Sequence, residues 1–138
     1  MKQLILAAIA LLIMASTCKR TQEECPPDLI CTMIFKSIHV QLQYESGSPV
    51  ILTKASLSAP HLSAPLNPLE EPLSEGHYML VNDGHMNILS HQKSKEFLFE
   101  GWVDDKLVVS QNYLLRHDCC HVELVEGPTE LVLPDPSE

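Results

Sequence analysis

The chain has 138 residues, 45% of them hydrophobic, with 18 acids against nine lysines and arginines and a net charge of −9. That acidity excludes nucleic acid, whose binding depends on neutralising phosphates, and it excludes charge-driven adhesion to anionic headgroups. The length suits one domain with a single core.

In chain order, Met1-Lys2-Gln3 makes a short basic start, Leu4 to Met14 is an unbroken apolar run, and Ala15-Ser16-Thr17 are small residues before Cys18. This is the order of a secretory signal, too short to span a bilayer as a stable helix. A cysteine directly after small residues resembles the lipobox of bacterial lipoproteins. The resemblance implies that Cys18 receives diacylglycerol and becomes the mature N-terminus. Such sites usually carry Gly, Ala or Ser where this chain has Thr17. The competing reading is a signal cut before Cys18, leaving that thiol free or bound to another chain. Removing residues 1–17 takes away Lys2 and no acid, so the mature net charge becomes −10 over 121 residues. Lys19 in place of a retaining aspartate points to the outer membrane. Membrane attachment is expected through the acyl chains alone, because no second apolar run is long enough to cross.

Residues 18–30 read as a polar tether carrying Pro26-Pro27. From Cys31 the pattern alternates, with Ile34, Ile38, Val40, Leu42 and Tyr44 on one face of a strand. A turn at residues 45–49 leads to a second strand opening at Val50-Ile51-Leu52. Residues 59–76 hold Pro60, Pro65, Pro68 and Pro72, which preclude a regular ladder. They read either as a long loop exposing Leu62, Leu66, Leu69 and Leu73 as a binding surface or as an idle, partly disordered insertion. His77 to Val81 resumes as a strand, and Asn82-Asp83-Gly84 predicts a hairpin returning over Met86 to Ser90. Phe97 to Val103 and Lys106 to Ser110 form a hairpin with Asp104-Asp105 at its tip. Tyr113 to Glu126 is a last long run, Leu131 to Leu133 an edge strand, and residues 134–138 a polar tail. The sum is an all-β chain, a single Ig-like or transthyretin-like β-sandwich of about seven strands over residues 31–133.

The five cysteines are Cys18, Cys25, Cys31, Cys119 and Cys120. An odd count in an exported chain needs an explanation, and a lipidated Cys18 leaves four for disulfides. Of the three pairings, a Cys119–Cys120 ring is strained because neighbouring side chains diverge in a strand. The other two tie Cys25 and Cys31 to Cys119 and Cys120. Cys31–Cys120 is preferred, since Cys31 begins the first strand and Cys120 shares a face with Val122 and Leu124; Cys25 then takes Cys119.

His117-Asp118-Cys119-Cys120-His121 is the densest reactive cluster. In an extended segment His117, Cys119 and His121 share a face and could ligate zinc or copper if Cys119 were a thiolate, His117 and His121 being the alternative metal pair. Oxidised cysteines leave two ordinary histidines. His39, His61, His77, His85 and His91 are scattered and suggest no shared site. Asp83, Asp104 and Asp105 lack a calcium loop and read as turn residues. Trp102 and Tyr113 read as core aromatics before a sugar-binding platform. There is no GxSxG, HExxH or phosphate-binding glycine loop, so neither an enzyme nor a cofactor is expected.

The run CTMIFKSIHVQLQYESGSPVIL resembles the opening of transthyretin-like and carboxypeptidase-regulatory-like modules. The stretch with Phe99-Glu100-Gly101, Val108-Val109, Asp118 to Val122 and Gly127-Pro128 is similar to the C-terminal half of small bacterial lipoproteins of that design. Glu75-Gly76-His77-Tyr78 stands where those modules usually carry an Asp-x-x-Gly-x-Tyr turn. The resemblance implies a non-catalytic binding or scaffold role with a protein or glycan partner in the cell envelope. A metal-binding envelope protein and a secreted enzyme inhibitor are the alternatives.

Overall fold

The computed structural model describes residues 25–70 and 74–136. The expected signal over residues 1–17, the lipidation site Cys18 and the loop residue Leu73 lie outside them. Seven strands are described: β1 Ser37–Tyr44, β2 Lys54–Ser58, β3 His77–Asn82, β4 Lys95–Val103, β5 Lys106–His117, β6 Val122–Glu126 and β7 Glu130–Leu133. They form two sheets, ordered β3-β1-β7 and β2-β4-β5-β6, packed as a sandwich. All pairs are antiparallel except β1 with β7, which run parallel.

Alternation along β1 buries Ile38, Val40 and Leu42 against Phe97 and Phe99 of β4 and Tyr113 and Leu115 of β5, all within one apolar cluster. The hairpin β4–β5 turns through Asp104 and Asp105, both at positive φ (47° and 63°), the geometry that matches the twist of the flanking strands. Gly101 in β4 has no room for a side chain, since a Cβ there would lie 2.6 Å from Leu52 Cδ1.

Four expectations need correction. The first strand begins at Ser37, not near Cys31, and Ile34 and Phe35 are exposed. Cys31 is bonded to Cys120 and Lys36 N–H is held by Asp83, so the stretch between them runs outside both sheets and neither of its faces meets the core. Val50 to Leu52 is buried at Val50 and Leu52 but does not join a ladder. Its hydrogen bonds go elsewhere: Leu52 N–H donates to Tyr78 Oη and Tyr78 Oη donates to Val50 O, each at 2.8 Å, while Val50 N–H donates to Leu42 O. Met86 to Ser90 is not a hairpin partner, because Asn82 caps a 3-10 helix, Asp83–Ile88, by accepting from Gly84 N–H. Finally, Tyr113 to Glu126 is two strands. Its first part completes β5, and the chain reverses at residues 118–121 before β6.

Candidate functional site

The reversal after β5 is built by Asp118. Its Oδ1 accepts the N–H groups of Cys120 (2.9 Å) and His121 (2.6 Å), and its own N–H donates to His121 O. Cys119 takes a positive φ of 76°, so this segment is not extended and its side chains do not alternate as a strand's would. Both cysteines therefore reach back to the N-terminal arm. Cys25 bonds to Cys119 and Cys31 to Cys120, with Cα separations of 5.7 and 5.3 Å. This is the preferred pairing, reached through a turn and not a shared strand face.

Asp83, at the start of the 3-10 helix, completes this end of the sandwich. Its carboxylate accepts from Lys36 N–H (2.7 Å) and Val122 N–H (2.8 Å), and Oδ2 lies 2.8 Å from His121 Nδ1. Burial pushes the Asp83 carboxyl up, but the His121 hydrogen bond, the two main-chain donors and the His121 charge together hold it below its ordinary value. Asp118 follows the same balance and is also lowered: burial raises it, and the His121 and Cys120 N–H groups and the charges of His121 and Lys36 outweigh that.

This arrangement bears on the metal alternative. His121 has both ring nitrogens engaged, Nδ1 with Asp83 and Nε2 with Thr32 Oγ1 at 2.8 Å. Among the described residues the one trio with ligand atoms close enough for an ion is Cys25, His117 and Cys119. His121 is not in it, and both sulfurs are joined to each other. His117 Nδ1 accepts from Cys119 N–H at 3.0 Å and its ring lies beside that of His91. The cluster acts as a clamp between the N-terminal arm, the 3-10 helix and β6.

In the 59–76 loop, Leu62, Leu66 and Leu69 are not the exposed side chains expected of them. Leu57 and Leu66 exchange both main-chain hydrogen bonds (3.0 and 2.9 Å), adding an isolated bridge beyond β2. Leu62, Leu66 and Leu69 are half-buried against the core. His61 Nε2–H donates to Ile88 O at 3.0 Å, and its ring packs edge-on to Phe97. Prolines forbid a ladder without forbidding packing.

A concave surface lies at the opposite end. β1 leaves the clamp at Lys36 and ends at Tyr44, while β5 starts at Lys106 and reaches the clamp at His117. Eight residues of β1 span roughly 25 Å. At that far end an open cleft of about 580 Å³ has Tyr44, Leu107 and Leu133 as apolar walls and Asp104, Lys106 and Asp135 as charged groups. The size is that of a small-ligand or short-segment site. The lining comes from β1, β7 with the tail residues 134–136 that follow it, and the tip of the β4–β5 hairpin, which no local motif in the sequence brings together.

The chain matches no protein-family model, no curated protein and no solved structure.

Proposed function

We propose that the chain is an exported, lipid-anchored protein of the cell envelope whose sandwich is a non-catalytic binding module for a protein or glycan partner. One observation carries the anchoring: two disulfides consume Cys25, Cys31, Cys119 and Cys120, so the odd cysteine of the five is Cys18, directly behind the apolar leader. Two disulfides also suit an oxidising, extracytoplasmic compartment. The resemblance to lipoproteins with a transthyretin-like or carboxypeptidase-regulatory-like module agrees with this reading and adds no catalytic residues.

The binding role draws on the cleft between Tyr44, Leu107 and Leu133, at the end of the sandwich away from the N-terminal arm. It replaces the 59–76 loop as the surface of choice, because Leu62, Leu66 and Leu69 of that loop are half-buried against the core. Intact-mass measurement of the native protein tests the anchor, with acylated Cys18 at the mature N-terminus as the expected result. A mature chain without lipid sinks it. Pull-down from the envelope with wild type and Leu107→Asp tests the cleft, and equal recovery of the same partners removes it.

A further inference from the structure

Seven residues of the N-terminal arm carry five large apolar side chains that the described residues leave exposed. Leu29 is 45% exposed, Ile30 94%, Met33 101%, Ile34 71% and Phe35 68%. They do not hang on a loose tail. Cys31, in the middle of the stretch, is bonded to Cys120, Cys25 just before it to Cys119, Thr32 meets His121, and Lys36 N–H is held by Asp83. Four attachments fix the backbone while the apolar side chains stay outside. A soluble domain rarely exposes so continuous an apolar patch without a surface to receive it.

We infer that residues 29–35 dock into the interfacial layer of the lipid bilayer that carries the protein. The inference rests on the anchor proposed for Cys18. Two features of the chain select a bilayer as the occupant. First, only eleven residue steps lead from Cys18 to Leu29. Fully extended they reach at most about 40 Å, so an acylated N-terminus holds the patch beside the membrane. Second, charge is divided between the arm and the sandwich. From Cys18 to Lys36 the bases Lys19, Arg20 and Lys36 balance the acids Glu23, Glu24 and Asp28, so residues 37–138 carry the whole mature charge of −10. Anionic headgroups repel the sandwich and leave the neutral arm as the face that can approach. The depth required is that of an interfacial segment, about 5–10 Å, and not a span. Docked this way, the clamp end lies on the bilayer and the cleft at Tyr44 and Leu133 faces the envelope space.

The test places a benzophenone side chain at Met33, at Phe35, or at the control positions Leu107 and Val132, which are exposed elsewhere on the sandwich. Each full-length variant is expressed with its own leader and irradiated in its native membranes, and the mature protein is weighed. The expected result is phospholipid adducts at positions 33 and 35, at least fivefold above those at 107 and 132. At positions 33 and 35, adducts to a second copy of the chain or to another protein, or equal lipid labelling at all four positions, each overturn the docking. The same mass spectra report on Cys18 separately. Acylated protein without the selective adducts leaves the anchor and removes the docking. Unacylated protein with them does the reverse.

Discussion

His121 Nδ1 lies 2.8 Å from Asp83 Oδ2, across 38 residues of sequence, and the same carboxylate takes the N–H groups of Lys36 and Val122. One side chain thereby joins the entry to β1, the 3-10 helix and the start of β6. Asp83→Ala removes three acceptor contacts from a carboxylate that is 12% exposed. Hydrogen bonds to charged groups contribute about 1.5–3 kcal/mol each and are not additive, so a loss of about 2–4 kcal/mol is expected. Urea denaturation of the purified protein measures it.

The same contacts set the acid limit of the fold. Asp83 and Asp118 both sit below the ordinary carboxyl value of 3.8 in the folded state. A depressed folded pKa means that the unfolded chain binds protons first on acidification. The stability from these groups is then complete above 3.8 and is lost as pH falls through the lower folded values. His39 adds acid sensitivity at higher pH: burial and then the neighbouring His77 lower it from 6.5, so the fold loses stability as pH drops below that value. Thermal midpoints recorded against pH should fall in both windows, and Asp83→Asn should flatten the lower one.

Disulfide removal should be strongly non-additive. The bonds close loops with sequence separations of 94 and 89 residues, each worth about 4–5 kcal/mol on its own in the chain-entropy account. With one bond in place, the other closes only the short path through residues 25–31 and 119–120. Cys25→Ser with Cys119→Ser, or Cys31→Ser with Cys120→Ser, should each cost less than half of what losing all four costs. Comparing urea midpoints of the three variants decides it.

Tyr78 pins the segment that failed to become a strand. Its hydroxyl is buried, donates to Val50 O and accepts from Leu52 N–H. Tyr78→Phe leaves a buried carbonyl and a buried amide unpaired, at a cost of about 2–3 kcal/mol. Faster hydrogen exchange confined to Leu52 and its neighbours is the accompanying signature.

Replacing residues 59–76 with a short Gly-Ser link should destabilise the protein. The packing of Leu62, Leu66 and Leu69 and the Leu57–Leu66 bridge go with the loop, a loss of about 2–4 kcal/mol for half-buried leucines. Unchanged stability would return the loop to the role of a free surface.

Tyr113 ties a buried ring to the chain beyond β6, its hydroxyl donating to Pro128 O at 2.9 Å. Burial pushes its ionisation up to about 12. A raised folded pKa on an acid means that stability declines as pH climbs from 10 towards 12, and ultraviolet titration of the phenolate reads the midpoint. Gly127, at φ 126°, has no room for a Cβ, which would lie 2.3 Å from the Tyr113 ring. Gly127→Ala should therefore cost at least about 2 kcal/mol.

Period-two alternation, turn chemistry and cysteine parity were enough by themselves to specify an all-β sandwich, the Asp104-Asp105 hairpin and an even set of disulfides. Each is a short-range property: alternating side chains meet one core face, two residues of positive φ close a tight turn, and thiols in an oxidising compartment pair. Where a backbone segment spends its hydrogen bonds is not short-range. Val50 to Leu52 has strand composition, yet Tyr78 takes its bonds from 26 residues away. His121 looked available to a metal until Asp83 and Thr32 occupied both its nitrogens, and Leu62, Leu66 and Leu69 looked free until the core received them. The cleft at Tyr44, Leu107 and Leu133 exists only because the two sheets end together there, and the apolar arm is exposed only because the clamp fixes it outside the sandwich. Those are facts of long-range packing, and tertiary structure alone decided them.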